Sequence, residues 1–218
     1  MAGSDWDLQV PLLASPPMSI TTRRPLVLAP KVDCEGAVLW LHGFDDNSAG
    51  WSQLLPRRLS WCWVHLRAPK VAQSFFGGRK MAAWGDFLSA ARIEVGSEDH
   101  ECSDERGIYA TCSRLVQQEL DRVQQKYRLD STRVILAGYS QGAACALQSV
   151  AEYPKPLAGC IAISGWLLPA ARIPAATRSF WLFHGREDVQ VSVNCSSFAA
   201  EKLRSLAADT GIHNWERQ

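Results

Sequence analysis

The residues best suited to chemistry are Gly138-Tyr139-Ser140-Gln141-Gly142, a serine flanked at two-residue spacing by glycines. Val134 to Ala137 precede them as a short apolar run of strand formers, and Ala143 to Leu147 follow as helix-forming material. A serine on a sharp strand-to-helix turn is held out for reaction, and glycines on either side let strand and helix pass closely. The helix N-terminus then aims unpaired N–H groups and a positive dipole end at the reaction centre. Ser140 is therefore the candidate nucleophile for acyl transfer. The plain alternative is an ordinary serine in a glycine-rich turn, which the flanking strand and helix patterns argue against.

A second strand, Gly36 to Leu41, runs into His42-Gly43-Phe44. Such a strand end can supply a second backbone donor for an oxyanion, here the N–H of Phe44, beside that of Gln141. An acid should follow the serine along the chain. Asp188 lies just past the strand Ser179 to Phe183, on the carboxyl edge of a parallel sheet, with Glu187 as the fallback. A carboxylate there would set the tautomer of a histidine and stabilise its imidazolium.

The base is harder to place among the five histidines. His42 and His184 belong to His-Gly strand ends, His65 falls within a strand, and His100 lies in the polar stretch Gly96 to Ser103. Only His213 follows Asp188, and it stands at the start of an incoming strand, whereas the base should follow such a strand's end. The sequence thus predicts a chain short of its last strand-loop segment, crippled in catalysis as it stands.

These residues need a scaffold, and the pattern supplies one. Strands alternate with helices, among them a helix with Ile108, Cys112, Val116, Leu120, Val123 and Tyr127 on one stripe. That alternation predicts an α/β fold with a mostly parallel sheet covered on both faces. Residues 1–22 mix Pro, Ser and Thr without periodicity and read as a loose arm; residues 23–218 read as one domain.

Composition narrows the function classes. Twenty-three Lys and Arg against 22 Asp and Glu leave no electrostatic footprint for nucleic acid. No segment approaches the ~18 uninterrupted apolar residues of a membrane span. The acidic N-terminus lacks the features of a signal peptide or a myristoylation site. Seven scattered cysteines without C-x-x-C pairs suit reduced core thiols in a cytoplasmic protein, not a disulfide framework or a metal site.

Read together, these segments resemble the acyl-protein thioesterase and carboxylesterase (lysophospholipase-like) family of α/β-hydrolases. The matching pieces include Leu41 to Asp45 with Gly50-Trp51, Arg67 to Pro69, Trp84 to Asp86 and Asp104 to Ile108. Further on come Arg133 to Gly142, Leu157 to Gly159, Ser164 to Leu168 and His184 to Asp188. The resemblance implies the α/β-hydrolase fold, Ser140 as nucleophile, Asp188 as acid, and the N–H groups of Phe44 and Gln141 as oxyanion hole. It implies cofactor-free hydrolysis of esters or thioesters, S-acylated proteins among them, with Trp84, Trp166, Leu167 and Leu168 binding substrate. Val189 stands where the family usually has proline, and the family's histidine segment has no counterpart before Gln218. A fold kept for binding without catalysis is the alternative reading, with peptidase chemistry a remoter third.

Overall fold

The computed structural model describes residues 24–29, 33–54, 60–169, 171, 179–206 and 211–217. The arm expected over residues 1–22 lies outside them. In chain order the elements are β1 (Leu26–Leu28), β2 (Gly36–Leu41), α1 (Ser48–Leu54), β3 (Trp61–His65), β4 (Lys70–Ala72) and β5 (Lys80–Ala82). There follow α2 (Ile108–Tyr127), β6 (Val134–Tyr139), α3 (Gln141–Glu152), β7 (Gly159–Ile163), β8 (Ser179–Gly185), α4 (Val193–Leu206) and β9 (Gly211–Arg217).

The main sheet runs β1-β3-β2-β6-β7-β8-β9, and every pair is parallel except the edge pair β1–β3. Strand alternation sorts its side chains into two layers. Leu39, Leu41, Val64, Leu136, Cys160, Phe180 and Leu182 face one core with residues of α2, α3 and α4. Val38, Trp40 and Ala137 face the other way and pack with Trp51 of α1, Trp61, Trp63 and Tyr139. Helices therefore lie on both faces among the described residues, α2, α3 and α4 on one and the short α1 on the other.

Local chemistry sets the helix ends. The expected stripe on α2 is buried at Ile108, Cys112, Val116, Leu120 and Val123, each contributing roughly 1.5–3 kcal/mol. The helix begins at Ile108, because Gly107 sits at φ 62° in the left-handed region. Asp104 caps it from outside, accepting the N–H groups of Tyr109 and Ala110. Helix α1 has no periodic signature in the sequence; Asn47 starts it by accepting the N–H groups of Ala49 and Gly50.

Two stretches differ from expectation. The long loop after Pro69 contains the β4–β5 hairpin, whose three-residue strands are too short to show a period. The stretch from Gly96 to Ser103, polar in sequence, nonetheless buries Asp99, His100 and Cys102. Asp99 accepts from Leu88 and Ser89 of the preceding segment, and His100 Nδ1 pairs with Glu101, while His100 Nε2 is buried without a partner among the described residues. No helix among the described residues is long and apolar enough to cross a membrane.

Candidate active site

The turn from β6 to α3 is as sharp as the sequence requires. Ser140 has φ 52° and ψ −124°, a sparsely populated conformation for a residue with a Cβ. Its surroundings hold it there. Its N–H donates to the Ile163 carbonyl of β7 at 2.8 Å, and its carbonyl accepts from Ala143 and Ala144. A Cβ on Gly138 would lie 2.4 Å from the Gly142 oxygen, and one on Gly142 would lie 2.4 Å from the His42 oxygen. Both glycines of the pattern are thus demanded by backbone contact.

That same contact presses the start of α3 against the end of β2. Gln141 opens α3, so helix geometry leaves its N–H without an i−4 carbonyl partner. The His42-Gly43-Phe44 turn lies alongside. Trp84 ties the two together. Its ring N–H donates to the His42 carbonyl at 2.7 Å, and its backbone N–H donates to Gln141 Oε1 at 2.9 Å.

His42 is occupied as a structural residue. Its Nδ1–H donates to the Gly43 carbonyl, and its Nε2 accepts the Ala68 N–H; this tautomer follows from the partners. Burial pushes its pKa below the ordinary histidine value. His65 is buried with its ring over Trp63. His100 is buried against Phe198 and Glu101, in contrast to the polar loop expected for it.

Ser140 lines a cleft of about 310 Å³. One wall is aromatic, made by Phe44, Phe75, Phe76 and Phe87; the ring of Phe44 stacks on Phe76 and meets Phe87 edge-on. The other consists of residues 89–93 and 189–191. Trp84, Trp166, Leu167 and Leu168, expected to touch substrate, lie in the core instead, each at most 4% exposed. They are apolar and large, and the sheet's α2–α4 layer takes them up. The aromatic wall went unread because it is assembled from a hairpin tip and two loops. The clue was there in Phe75-Phe76 beside Gly77-Gly78, an apolar pair at a turn.

Asp188 follows β8, and its loop supplies part of the wall facing the phenylalanines. Its Oδ1 accepts the N–H groups of Gln190 and Val191, both at 2.9 Å. Its Oδ2 is 3.7 Å from His184 Nε2. His184 nonetheless faces inward: Nε2–H donates to the Val191 carbonyl, and Nδ1 accepts from the Ser196 hydroxyl. Glu187 is exposed beside it.

His213 lies within β9, paired with Trp181, which is level with Ile161 and Ala137 across the sheet. Ser140 is three residues further along that direction, or about 10 Å. No histidine is among the described residues lining the cleft. Cysteine does not offer a rival nucleophile, since burial pushes the thiols of Cys145 and Cys160 up to about 12.

The sequence profile described as Phospholipase/Carboxylesterase matches residues 23–217. The chain is 31% identical over 157 residues to Acyl-protein thioesterase 1 of Schizosaccharomyces pombe, covering 69% of this chain and 65% of that protein. The match thus spans less than two thirds of that relative's length. It is 28% identical to Acyl-protein thioesterase 1 of Mycosarcoma maydis, over 89% of this chain and 88% of that protein. The crystal structure of Zea mays acyl-protein thioesterase 2 superposes with a TM-score of 0.68 at 25% identity, covering 89% of this chain and 90% of that one. The shared architecture is the α/β-hydrolase fold.

Proposed function

We propose, from the premise that this chain belongs to the phospholipase/carboxylesterase family, that it is a serine hydrolase of carboxylic esters or thioesters. One observation carries the reading: a strained strand-to-helix serine opens on an apolar cleft whose far wall includes the loop of Asp188. The Ser140 hydroxyl attacks the acyl carbonyl, and the developing oxyanion is met by the N–H groups of Phe44 and Gln141. The alcohol or thiol leaves, and water releases the acyl group from Ser140. Asp188 is the carboxylate to orient and stabilise a base that takes the serine proton and passes it to the leaving group, a place that none of the described cleft residues fills with a histidine.

The aromatic wall suits an acyl chain, since each buried CH₂ contributes about 0.8 kcal/mol. S-acylated proteins are the substrate class this supports, in line with the names of the relatives. The chemistry needs water and no cofactor. Six buried cysteines held as free thiols support a reducing, cytoplasmic setting.

A second reading, an acyl-binding protein without turnover, is favoured by one observation, the lack of a histidine among the described cleft residues. A fluorophosphonate probe separates the two. Labelling at Ser140, abolished in Ser140→Ala, supports the hydrolase. A protein that binds acyl analogues but takes no label supports the second reading. Labelling that survives Ser140→Ala removes the nucleophile assignment.

A further inference from the structure

Two segments that line the cleft are each held by a buried carboxylate. Next to Phe75 and Phe76, Asp86 accepts from the N–H and hydroxyl of Ser74, and Arg106 is its counter-ion at 2.8 Å. The segment from Ser89 to Ile93 is held at its start by Asp99, 3% exposed. It accepts the N–H groups of Leu88 and Ser89 at 2.7 and 3.3 Å and the Ser89 hydroxyl at 3.0 Å. Unlike Asp86, it makes no ion pair among the described residues. Burial accordingly holds its pKa above the usual carboxylate value. Burying a carboxylate without a cation costs free energy, yet its hydrogen bonds from Leu88 and Ser89 converge on a single turn.

That turn begins the wall. The chain passes along the cleft from Ser89 to Ile93, and there it joins the acid loop. The Ile93 N–H donates to the Gln190 carbonyl and the Ser192 N–H to the Ile93 carbonyl, both at 2.8 Å, forming a parallel bridge between Ile93 and Val191. The Val191 N–H in turn donates to Asp188 Oδ1. A continuous path of hydrogen bonds and backbone therefore links Asp99 to Asp188.

We propose that Asp99 is a positioning residue: by fastening residues 88–93 it sets both the width of the cleft and the placement of Asp188. This rests on the reading of Ser140 and Asp188 as hydrolase residues. Two readouts on the full chain test it, neither needing turnover.

The first is residue-resolved amide exchange. Asp99→Ala should speed exchange about tenfold or more at Ile93, Gln190, Val191 and Ser192 as well as at Leu88 and Ser89, leaving β6 and α3 unchanged. Asp99→Asn, which keeps one acceptor oxygen, should fall between. Acceleration confined to Leu88 and Ser89, or spread evenly into β6 and α3, would overturn the proposal.

The second is binding of S-alkyl cysteine thioethers of roughly 4, 8 and 12 carbons, which cannot be hydrolysed but reward a closed cleft with chain length. Asp99→Ala should weaken the longest by about tenfold and the shortest little. Equal losses at every length would count against it. Unchanged labelling in Ser140→Ala would instead remove the hydrolase reading while leaving the exchange result to stand by itself.

Discussion

The elbow after β6 and the turn after β8 that carries the proposed acid Asp188, the acid turn below, occupy equivalent places at the carboxyl ends of two parallel strands, yet they are held by different forces. The elbow is held by contact. A Cβ on Gly142 would strike the carbonyls of both Leu41 and His42, and α3 is buried from Gln141 through Ala151. The acid turn is held by hydrogen bonds. A Cβ on Gly185 would meet nothing within 4 Å, Val189 is 80% exposed, and Asp188 is fixed by two loop N–H groups. A strained backbone persists only where packing over-determines it, so the serine needs close contact on all sides. A carboxylate that orients a partner needs one oxygen tethered and the other left available.

The largest effect should come from the acid turn's own carboxylate. Where a histidine completes the site, Asp188→Asn should lower kcat by about 10⁴ while Glu187→Gln changes it little, measured on an acyl thioester. A large loss on Glu187→Gln would show that the tethered carboxylate is not the acting one, and the contrast between the two turns would need redrawing.

Glycine substitutions test the contrast itself. Gly142→Ala should destabilise by about 3 kcal/mol or more, since backbone carbonyls 2.4–2.5 Å away cannot give way. Gly185→Ala should stay within about 0.5 kcal/mol. Urea unfolding of both variants decides; similar costs would mean that contact does not distinguish the turns.

The smallest effect concerns His42 on the elbow's packed side. Its folded pKa lies below the ordinary value near 6.5, so below that pH the unfolded chain takes up a proton that the folded chain refuses. Stability should fall as pH drops through this window, by about 1.4 kcal/mol per unit for this group, until the folded pKa is reached. The slope of stability against pH between about 6.5 and 5.5 should be shallower in His42→Gln. An unchanged slope would mean that the elbow's packed side admits a charge.

Legibility in the sequence followed the same division. The elbow could be read because its requirements are local: two glycines at fixed spacing, a strand before and a helix after. That Asp188 follows a strand end could be read because such an end is visible as an apolar run that stops. The cleft could not be read, because its aromatic wall joins Phe44 of one strand end to Phe75 and Phe76 of a hairpin and Phe87 of a loop. Nor could the roles of Trp84 and Trp166, which resemble binding residues by type but pack inside at 1% exposure.

By itself the amino-acid sequence determined the order of strands and helices, the α2 stripe and the strained serine, each a matter of period or of a few neighbouring residues. Only the tertiary structure decided which carbonyls the elbow glycines would meet, where His213 stands in sheet register, and which side chains line the cleft. It alone tied Asp99 to the acid loop through Ile93. The physical reason is that period and turn chemistry act over a few residues of one segment. A cleft wall is made where segments distant in the chain are brought together by burial, and neither its shape nor its hydrogen bonds exist until they meet.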